Sequence, residues 1–279
     1  MRLDERLNAG SGVYFEGTLI ESRQTRYQLI EVFDTPVLGK LMRIDGVNMT
    51  SEGDEFFYHE SLVHPAAIAH PAPRNVLVIG GGDGGSSEEI LKHASVERVV
   101  LAELDQGVID VAKTYFATVH RDVFANPRLE VRIDDGAALI KTTADRFDLI
   151  FLDLTDPVGA AEALYTRSFY ADCKRALAAG GALVLHIGSP FSQPDRVAAS
   201  VANLRAVFSR VVPYFVHVPC FGAMWGFAVA SDTLDPGAIT AALVAQRLKD
   251  RGVGDRQFYD ADMHLAMLAV PAYVRTLIG

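Results

Sequence analysis

The pattern of hydrophobic and polar positions changes near residue 53. Before it, short segments such as Tyr27–Phe33 and Leu41–Ile44 alternate or run apolar, which is typical of β-strands. Asp45-Gly46 follows the second segment and favours a tight hairpin turn. A helix is predicted from about Asp54. We therefore predict an N-terminal β-strand domain over residues 1–52 and a second, larger domain over residues 53–279.

From residue 75 onward, apolar segments alternate with helical stretches. Val76–Ile79 is apolar at every position, which is typical of a parallel strand covered on both faces. Further strands are predicted over residues 98–102, 129–133, 149–152 and 182–187. The alternation predicts an α/β fold with a doubly wound, mostly parallel sheet.

Polar residues at the starts of the intervening helices suggest where those helices begin. Asp105 and Thr166 are predicted to be N-caps. Ser86 and Glu89 have the spacing of a capping box, which predicts that a helix begins at Ser86.

Residues 211–230 are apolar enough to suggest a membrane span. Pro213, Pro219 and Gly222 interrupt the segment, and it is rich in residues that favour strands. We predict two antiparallel strands instead, around residues 211–217 and 225–230. Such an ending is typical of S-adenosylmethionine-dependent enzymes rather than of dehydrogenases.

The charge of the chain disfavours some partners. The 279 residues carry a net charge of −9, so binding to nucleic acid through phosphate neutralisation is not expected, whereas cationic ligands are favoured. Cys173 and Cys220 stand far apart and fit a reducing compartment. The first residues lack the apolar run of a signal peptide. We predict a cytoplasmic protein without a membrane anchor.

The histidines do not predict a metal site. His59-Glu60 and His64 are spaced one residue wrong for the zinc motif H-E-x-x-H. His70, His93 and His120 are predicted to lie at the surface or at helix ends.

A glycine-rich segment follows the first buried strand. Gly80, Gly82 and Gly84 fit the G-x-G-x-G of nucleoside-binding transferases, and Gly80, Gly82 and Gly85 also fit G-x-G-x-x-G. Glycines at these positions let the backbone turn tightly and approach a ligand at the start of a helix. A nucleoside-containing ligand is therefore predicted here.

Asp83 within this segment indicates the charge of that ligand. A carboxylate would repel the pyrophosphate of a dinucleotide, so an NAD-dependent oxidoreductase is disfavoured. The carboxylate of Asp83 suits a ligand with an ammonium tail. S-adenosylmethionine carries a carboxylate beside its ammonium, whereas decarboxylated S-adenosylmethionine carries only the ammonium. Asp83 also has a purely local interpretation, as a turn or capping residue.

Other carboxylates follow the successive predicted strands. Glu103 is placed to accept hydrogen bonds from ribose hydroxyls, and Asp135-Gly136 is placed near an adenine amine. Asp153 and Asp156 follow the fourth strand and could hold amines and accept a proton. Ligands of open α/β sheets bind at this edge, although each acid alone is also common in loops and caps.

Together these motifs resemble the spermidine synthase family of polyamine aminopropyltransferases. The resemblance rests on residues 80–85, Glu103, Asp135-Gly136, residues 153–157, residues 54–60 and residues 26–28. It implies a Rossmann-like catalytic domain behind a small β-domain, and commonly a homodimer. It implies decarboxylated S-adenosylmethionine as co-substrate, no prosthetic group, and a small cationic polyamine as acceptor.

The resemblance also implies roles for individual residues. Asp83, Glu103 and Asp135 would contact the donor, with Gln28 nearby, and Asp153 would be the catalytic carboxylate. The acceptor amine would meet Tyr58, with its neighbour His59, and Asp156.

Several segments resemble thermospermine synthase more than ordinary spermidine synthases. Phe221 stands where a tyrosine is usual, in a shorter loop before Trp225, and His186 stands where glutamine is usual. These departures lie in the predicted acceptor region and leave open whether putrescine gives spermidine or spermidine gives a tetraamine. Two other functions also stay open: an S-adenosylmethionine-dependent methyltransferase, and a non-catalytic relative that binds nucleosides or polyamines.

Overall fold

The computed structural model of the protein describes residues 1–157 and 159–279. The first part of the chain forms antiparallel strands. A hairpin of two strands precedes a four-stranded sheet of order β3-β4-β5-β6. The strands are β1 (Arg2–Arg6), β2 (Gly12–Glu16), β3 (Thr18–Gln24), β4 (Leu29–Thr35), β5 (Gly39–Ile44) and β6 (Val47–Ser51).

The predicted hairpin at Asp45-Gly46 is confirmed. The two residues have φ values of 50° and 80°, which are those of a tight turn with left-handed backbone, and Ile44 pairs with Val47 across it. The strand predicted from Tyr27 begins two residues later. Its first residues belong to a turn in which the backbone N–H and the hydroxyl of Thr25 both donate to the carbonyl of Gln28.

The second part of the chain forms a seven-stranded sheet with helices on both faces. Its order is β12-β13-β11-β10-β7-β8-β9. Its strands are β7 (Asn75–Gly80), β8 (Arg98–Glu103), β9 (Leu129–Ile133), β10 (Phe147–Asp153), β11 (Leu177–Gly188), β12 (Arg210–Val218) and β13 (Ala223–Ser231). The helices are α1 (Glu55–Ala69), α2 (Gly85–Leu91), α3 (Gln106–Tyr115), α4 (Ala117–His120), α5 (Gly136–Thr142), α6 (Arg167–Ala176), α7 (Pro194–Arg205), α8 (Ala241–Asp250), α9 (Ala261–Met267) and α10 (Ala272–Ile278).

The strand directions confirm the predicted fold class. Strands β11, β10, β7, β8 and β9 run parallel to one another, whereas β13 is antiparallel to both β11 and β12. The apolar segment 211–230 is therefore a strand pair, as predicted. Among the described residues, no helix is long and apolar enough to cross a membrane.

Alternate side chains of each central strand enter two different cores. Val76 and Val78 pack with α1, α2, α8 and α9 on one face. Leu77 and Ile79 pack with α5, α6, α7 and α10 on the other. This explains why residues 76–79 of β7 are all apolar. A third core joins β4 and β5 to α3 and α4, so the N-terminal sheet is fixed beside the carboxyl end of β8.

The predicted start of α2 is wrong. The helix begins at Gly85, its N-cap Gly84 has φ 85°, and no side chain caps it. The hydroxyl of Ser86 donates instead to Asp153, 2.7 Å away. The side chain is engaged by a residue 67 positions later, so the local capping pattern does not decide where the helix begins. Asp105 and Thr166 do cap α3 and α6 as predicted.

Of the two alternatives predicted for three histidines, the helix ends are confirmed: His70 is the C-cap of α1, His93 follows the C-cap of α2, and His120 is the last residue of α4. The surface alternative is wrong. His70, His93 and His120 are all buried. The ring of His93 lies against His64, with Nε2 of His93 3.1 Å from Nδ1 of His64. Burial, reinforced by the charge of His64, lowers the pKa of His93 well below its ordinary value.

Candidate active site

A cavity of about 620 Å³ lies where the carboxyl ends of β7, β8 and β10 meet the N-terminal sheet. With the exception of Gly84, every site residue predicted from the sequence lines this cavity. They are Gln28, Tyr58, His59, Gly80, Gly82, Asp83, Glu103, Asp135, Gly136, Asp153, Asp156, His186, Phe221 and Trp225.

The glycine segment runs beside the end of β10, where Asp153 lies. The backbone N–H of Gly81 donates to the carbonyl of Asp153 over 2.8 Å. Gly80 has φ 80°, and a Cβ atom there would lie 2.1 Å from the same carbonyl oxygen. Only glycine satisfies both conditions. Gly84 does not reach the cavity and serves as the N-cap of α2.

Asp83 belongs to a buried chain of alternating charges. Its Oδ1 accepts from the backbone N–H of Gly85, and its Oδ2 lies 3.4 Å from Nε2 of His59. Nδ1 of His59 lies 2.7 Å from Oε2 of Glu55. Burial alone would lower the pKa of His59, but Asp83 and Glu55 outweigh it and raise the pKa well above its ordinary value. The imidazolium in turn holds the pKa of Asp83 low despite its burial.

Asp153 ends β10 and is held by two hydroxyl groups. Tyr58 of α1 donates to its Oδ1 over 3.0 Å, and Ser86 of α2 donates to its Oδ2 over 2.7 Å. Burial and the neighbouring charge of Asp83 raise the pKa of Asp153 above its ordinary value. A fixed carboxylate with a raised pKa is well suited to accept a proton.

His59, Asp83 and Asp153 also form a cluster with the composition of a metal site. Their ligand-type atoms lie within 4.8 Å of one another. The raised pKa of His59 keeps its ring protonated, and a protonated imidazole has no lone pair for a metal ion. We interpret the cluster as a charge arrangement for an organic cation, and the expectation that no metal binds here stays a prediction.

The predicted nucleoside-binding acids lie at the ends of neighbouring strands. Glu103 is buried at the end of β8 and accepts from the backbone N–H of Asp105 over 2.9 Å; burial raises its pKa to about 7. Asp135 caps α5 through Oδ1 alone. Gln28 donates to Oδ2 of Asp105 over 3.1 Å, which joins the N-terminal sheet to this side of the cavity.

The opposite side of the cavity is largely aromatic. The rings of Phe221 and Trp225 have centroids 4.8 Å apart, and Tyr58 lies 5.8 Å from Phe221. The ring of His186 stacks on Trp225 at 5.9 Å. This wall can cover a methylene chain.

Asp156 lies beside this aromatic wall but is already paired. Its Oδ1 is 2.6 Å from Nη1 of Arg196, and its Oδ2 accepts from the side-chain amide of Gln193 over 3.2 Å. Burial would raise the pKa of Asp156, but Arg196 outweighs it and lowers the pKa. The family resemblance assigned Asp156 to the acceptor amine, and nothing in the sequence indicated its ion pair with Arg196.

Sequence reasoning missed three residues of the site. Ser86 was interpreted as a helix cap, and Arg196 lies on α7 without any motif. Glu5 of β1 lines the cavity and accepts from the backbone N–H of Asn48 over 2.7 Å; burial raises its pKa to about 7. For Glu5, the only signal was an acid in a short segment before the predicted strands of the N-terminal domain.

The model of the spermine/spermidine synthase domain matches residues 55–237. The chain belongs to the spermine/spermidine synthase family. The resemblance predicted from the sequence motifs is thus confirmed, and the match covers α1, the glycine segment, the acidic strand ends and the β12–β13 pair.

Two curated relatives in this family match nearly the full chain. A polyamine aminopropyltransferase of Nitrosomonas europaea is 48% identical over 276 residues, which is 99% of this chain and 85% of the relative. The polyamine aminopropyltransferase 1 of Pseudomonas aeruginosa is 39% identical over 277 residues, covering 99% and 96%.

Solved structures of the family have the same architecture. A spermidine synthase in complex with the transition-state analogue AdoDATO superposes with a TM-score of 0.94 at 32% identity, covering 100% of this chain and 95% of the other. The spermidine synthase of Thermotoga maritima gives a TM-score of 0.90 at 31% identity, covering 100% and 94%. These matches confirm the predicted sheet with its small N-terminal β-unit.

Proposed function

We propose that the protein is a polyamine aminopropyltransferase, which moves the aminopropyl group of decarboxylated S-adenosylmethionine to an amine and releases methylthioadenosine. The acceptor would be putrescine, giving spermidine, or spermidine, giving a tetraamine such as thermospermine. The observation that carries the proposal is that Asp83 and Asp153 both line one cavity with Glu103. These three carboxylates match an ammonium tail, a reacting amine and a ribose.

The donor would lie along the carboxyl edge of the sheet. Glu103 would accept from the ribose hydroxyls, and Asp135 and Gly136 would lie near the adenine, with Gln28 beside them. Asp83 would bind the ammonium of the aminopropyl group. The negative charges of Asp83 and Asp153 together favour a cation at this position. In this orientation the carbon next to the sulfonium faces Asp153.

The chemical step would be a direct displacement. The lone pair of the acceptor nitrogen forms a bond to that carbon, and the carbon–sulfur bond breaks so that its electron pair neutralises the sulfonium. No prosthetic group is required, because the sulfonium is already a good leaving group. Tyr58 and Ser86 fix Asp153 in place, so the alignment of nitrogen, carbon and sulfur contributes much of the rate.

The acceptor nitrogen must lose a proton before or during the attack. An alkylammonium with a pKa of ~10.4 is neutral in only about one molecule in two thousand at pH 7. Deprotonating it at this pH therefore costs roughly 4–5 kcal/mol. The neighbouring sulfonium lowers that pKa by repulsion between like charges. Asp153 accepts the proton, and its raised pKa helps.

We also propose the setting in which the enzyme works. Cys173 and Cys220 are buried as free thiols, which supports a reducing, cytoplasmic location. Tyr14, Leu19 and Ile20 expose apolar surface on the N-terminal strands, which supports a homodimer formed through the β-domain of residues 1–52. Light scattering during gel filtration tests the dimer.

The proposed activity is tested with donor and acceptor separately. Decarboxylated S-adenosylmethionine should bind far more tightly than S-adenosylmethionine in calorimetry, because the carboxylate of the latter meets Asp83. Asp83→Asn should narrow this difference. Incubation with the decarboxylated donor and a panel of amines, with products identified by mass, should give aminopropylated amines. Equal affinity for both donors, or methylated products, would contradict the proposal.

A further inference from the structure

Arg196 brings a positive charge to the acceptor end of the cavity. Its side chain is 13% exposed and forms the 2.6 Å ion pair with Asp156. The guanidinium carbon lies 5.8 Å from the ring centroids of both Tyr165 and Trp225. Its Nε is buried and has no hydrogen-bond partner among the described residues. The side chain is thus enclosed by the site rather than extended into solvent.

The backbone of β11 leaves room for this arginine. Gly188 has φ 91°, and a Cβ atom there would lie 3.0 Å from Cδ of Arg196 and 2.7 Å from Oε1 of Gln193. A larger residue at this position would therefore collide with the pair of side chains that hold Asp156. Gly188 lies two residues beyond His186 on the same strand.

His186 fixes the guanidinium from the other side. Nη2 of Arg196 and Nε1 of Trp225 both lie 3.3 Å from Nδ1 of His186. Both are donors, so Nδ1 accepts and Nε2 carries the proton. Nε2 lies 2.9 Å from the carbonyl oxygen of Leu154. Burial, and then Arg196, lower the pKa of His186 to about 4, which keeps the ring neutral.

The carboxylate of Asp156 is thus occupied by the start of α7. One carboxylate oxygen holds Arg196 and the other holds Gln193. An ammonium that approached Asp156 would also approach the guanidinium and be repelled by it. A diamine would therefore gain little from Asp156 for its far ammonium group.

We propose that Arg196 is a specificity-determining residue, which withholds the Asp156 carboxylate from the far ammonium of the acceptor. The site then selects aliphatic amines by the methylene surface that Phe221 and Trp225 cover, more than by a second positive charge. This inference rests on the proposed aminopropyl transfer.

The test compares putrescine with n-butylamine, which has the same carbon chain but no far ammonium. Arg196→Met removes the charge and keeps much of the side-chain volume. We expect it to raise the ratio of kcat/KM for putrescine over butylamine at least tenfold, because Asp156 becomes available. Asp156→Asn added to Arg196→Met should return the ratio to that of the natural protein. Arg205→Met, at the far end of α7, should leave it unchanged.

A ratio that stays within twofold in an Arg196→Met protein that still transfers aminopropyl groups would overturn the inference. Should that variant fail to fold, Asp156→Asn alone decides: we expect a change below threefold, and a tenfold fall in the ratio would overturn the inference. The same ratio can be taken from dissociation constants measured by calorimetry in the presence of methylthioadenosine. The dissociation constants test the role of Arg196 even if the protein transfers no aminopropyl group. A failure to transfer the group to any amine would contradict the proposed function instead.

Discussion

Two carboxylates of this site are held by side chains that are distant in the sequence. Ser86 reaches Asp153 across 67 positions, and Arg196 reaches Asp156 across 40. The strand ends predicted which carboxylates meet in the cavity, because ligands bind at this edge of an open sheet. They could not predict the partners, since the position of a helix against the sheet depends on packing over the whole chain.

Asp153 should be needed for the chemical step but not for donor binding. Asp153→Asn keeps the shape: its one oxygen can still accept from one of the two hydroxyl groups, and its NH₂ group can donate to the oxygen of the other, yet it cannot take a proton. We expect a single-turnover rate lower by about 10²–10⁴, with the calorimetric affinity for methylthioadenosine changed little. Asp172→Asn, on the surface of α6, is the matched control. Near-normal turnover in Asp153→Asn would show that another group accepts the proton.

Glu103 should make nucleoside binding depend on pH. Burial raises its pKa to about 7 in the free protein, whereas ribose hydroxyls donate best to the ionised carboxylate. Binding therefore lowers the pKa of Glu103 and releases a proton at acidic pH. The affinity for methylthioadenosine should rise by up to about tenfold per pH unit below pH 7 and level off above it.

Calorimetry between pH 5.5 and 8.5 measures this dependence. Glu103→Gln should bind more weakly and lose the dependence, and adenine, which lacks the ribose, should not show it in the natural protein. An affinity for methylthioadenosine that is flat between pH 6 and 8 would rule out Glu103 as the titrating contact.

The sequence predicted the strands better than the first residues of the helices. Strand β9 has the predicted bounds, because the alternation of Leu129, Val131 and Ile133 with charged residues is a property of the segment itself. The start of α2 was wrong because Ser86 serves the active site instead of the helix. A further contact that the sequence could not predict joins α1 to the C-terminal segment: Glu60 accepts from three successive backbone N–H groups, those of Gln257, Phe258 and Tyr259.

Glu60 should therefore stabilise the packing of α1, α8 and α9. Glu60→Gln would turn one acceptor oxygen into an NH₂ group that faces N–H donors, in a fully buried position. We expect the free energy of unfolding to fall by about 1–3 kcal/mol. Urea denaturation followed by circular dichroism measures the change. Glu97→Gln, an exposed residue paired with Arg74, should change it by less than about 0.5 kcal/mol, and an equally small effect of Glu60→Gln would contradict this role.

Three parts of the chain contribute the side chains that matter most in the cavity. The parallel strands supply Asp83, Glu103 and Asp153, and the β12–β13 pair supplies Phe221 and Trp225. Glycine and acid motifs predicted the first part, and the resemblance pointed to the second. The third part is the N-terminal hairpin, which contributes Glu5 because β1 packs beside β6. No local pattern encodes this packing.

This arrangement decides which acceptor the enzyme should prefer. A short diamine needs fixed partners at both ends, and Phe221 supplies no hydroxyl for its far ammonium. A triamine offers additional methylene groups to Phe221 and Trp225, worth about 0.8 kcal/mol for each one buried. Its extra ammonium would favour the ionised form of Glu5, which lines the cavity and whose pKa is raised by burial to about 7. We therefore expect spermidine to be accepted at least as well as putrescine. Values of kcat/KM for putrescine, cadaverine and spermidine decide it, and a tenfold preference for putrescine would place the enzyme with ordinary spermidine synthases.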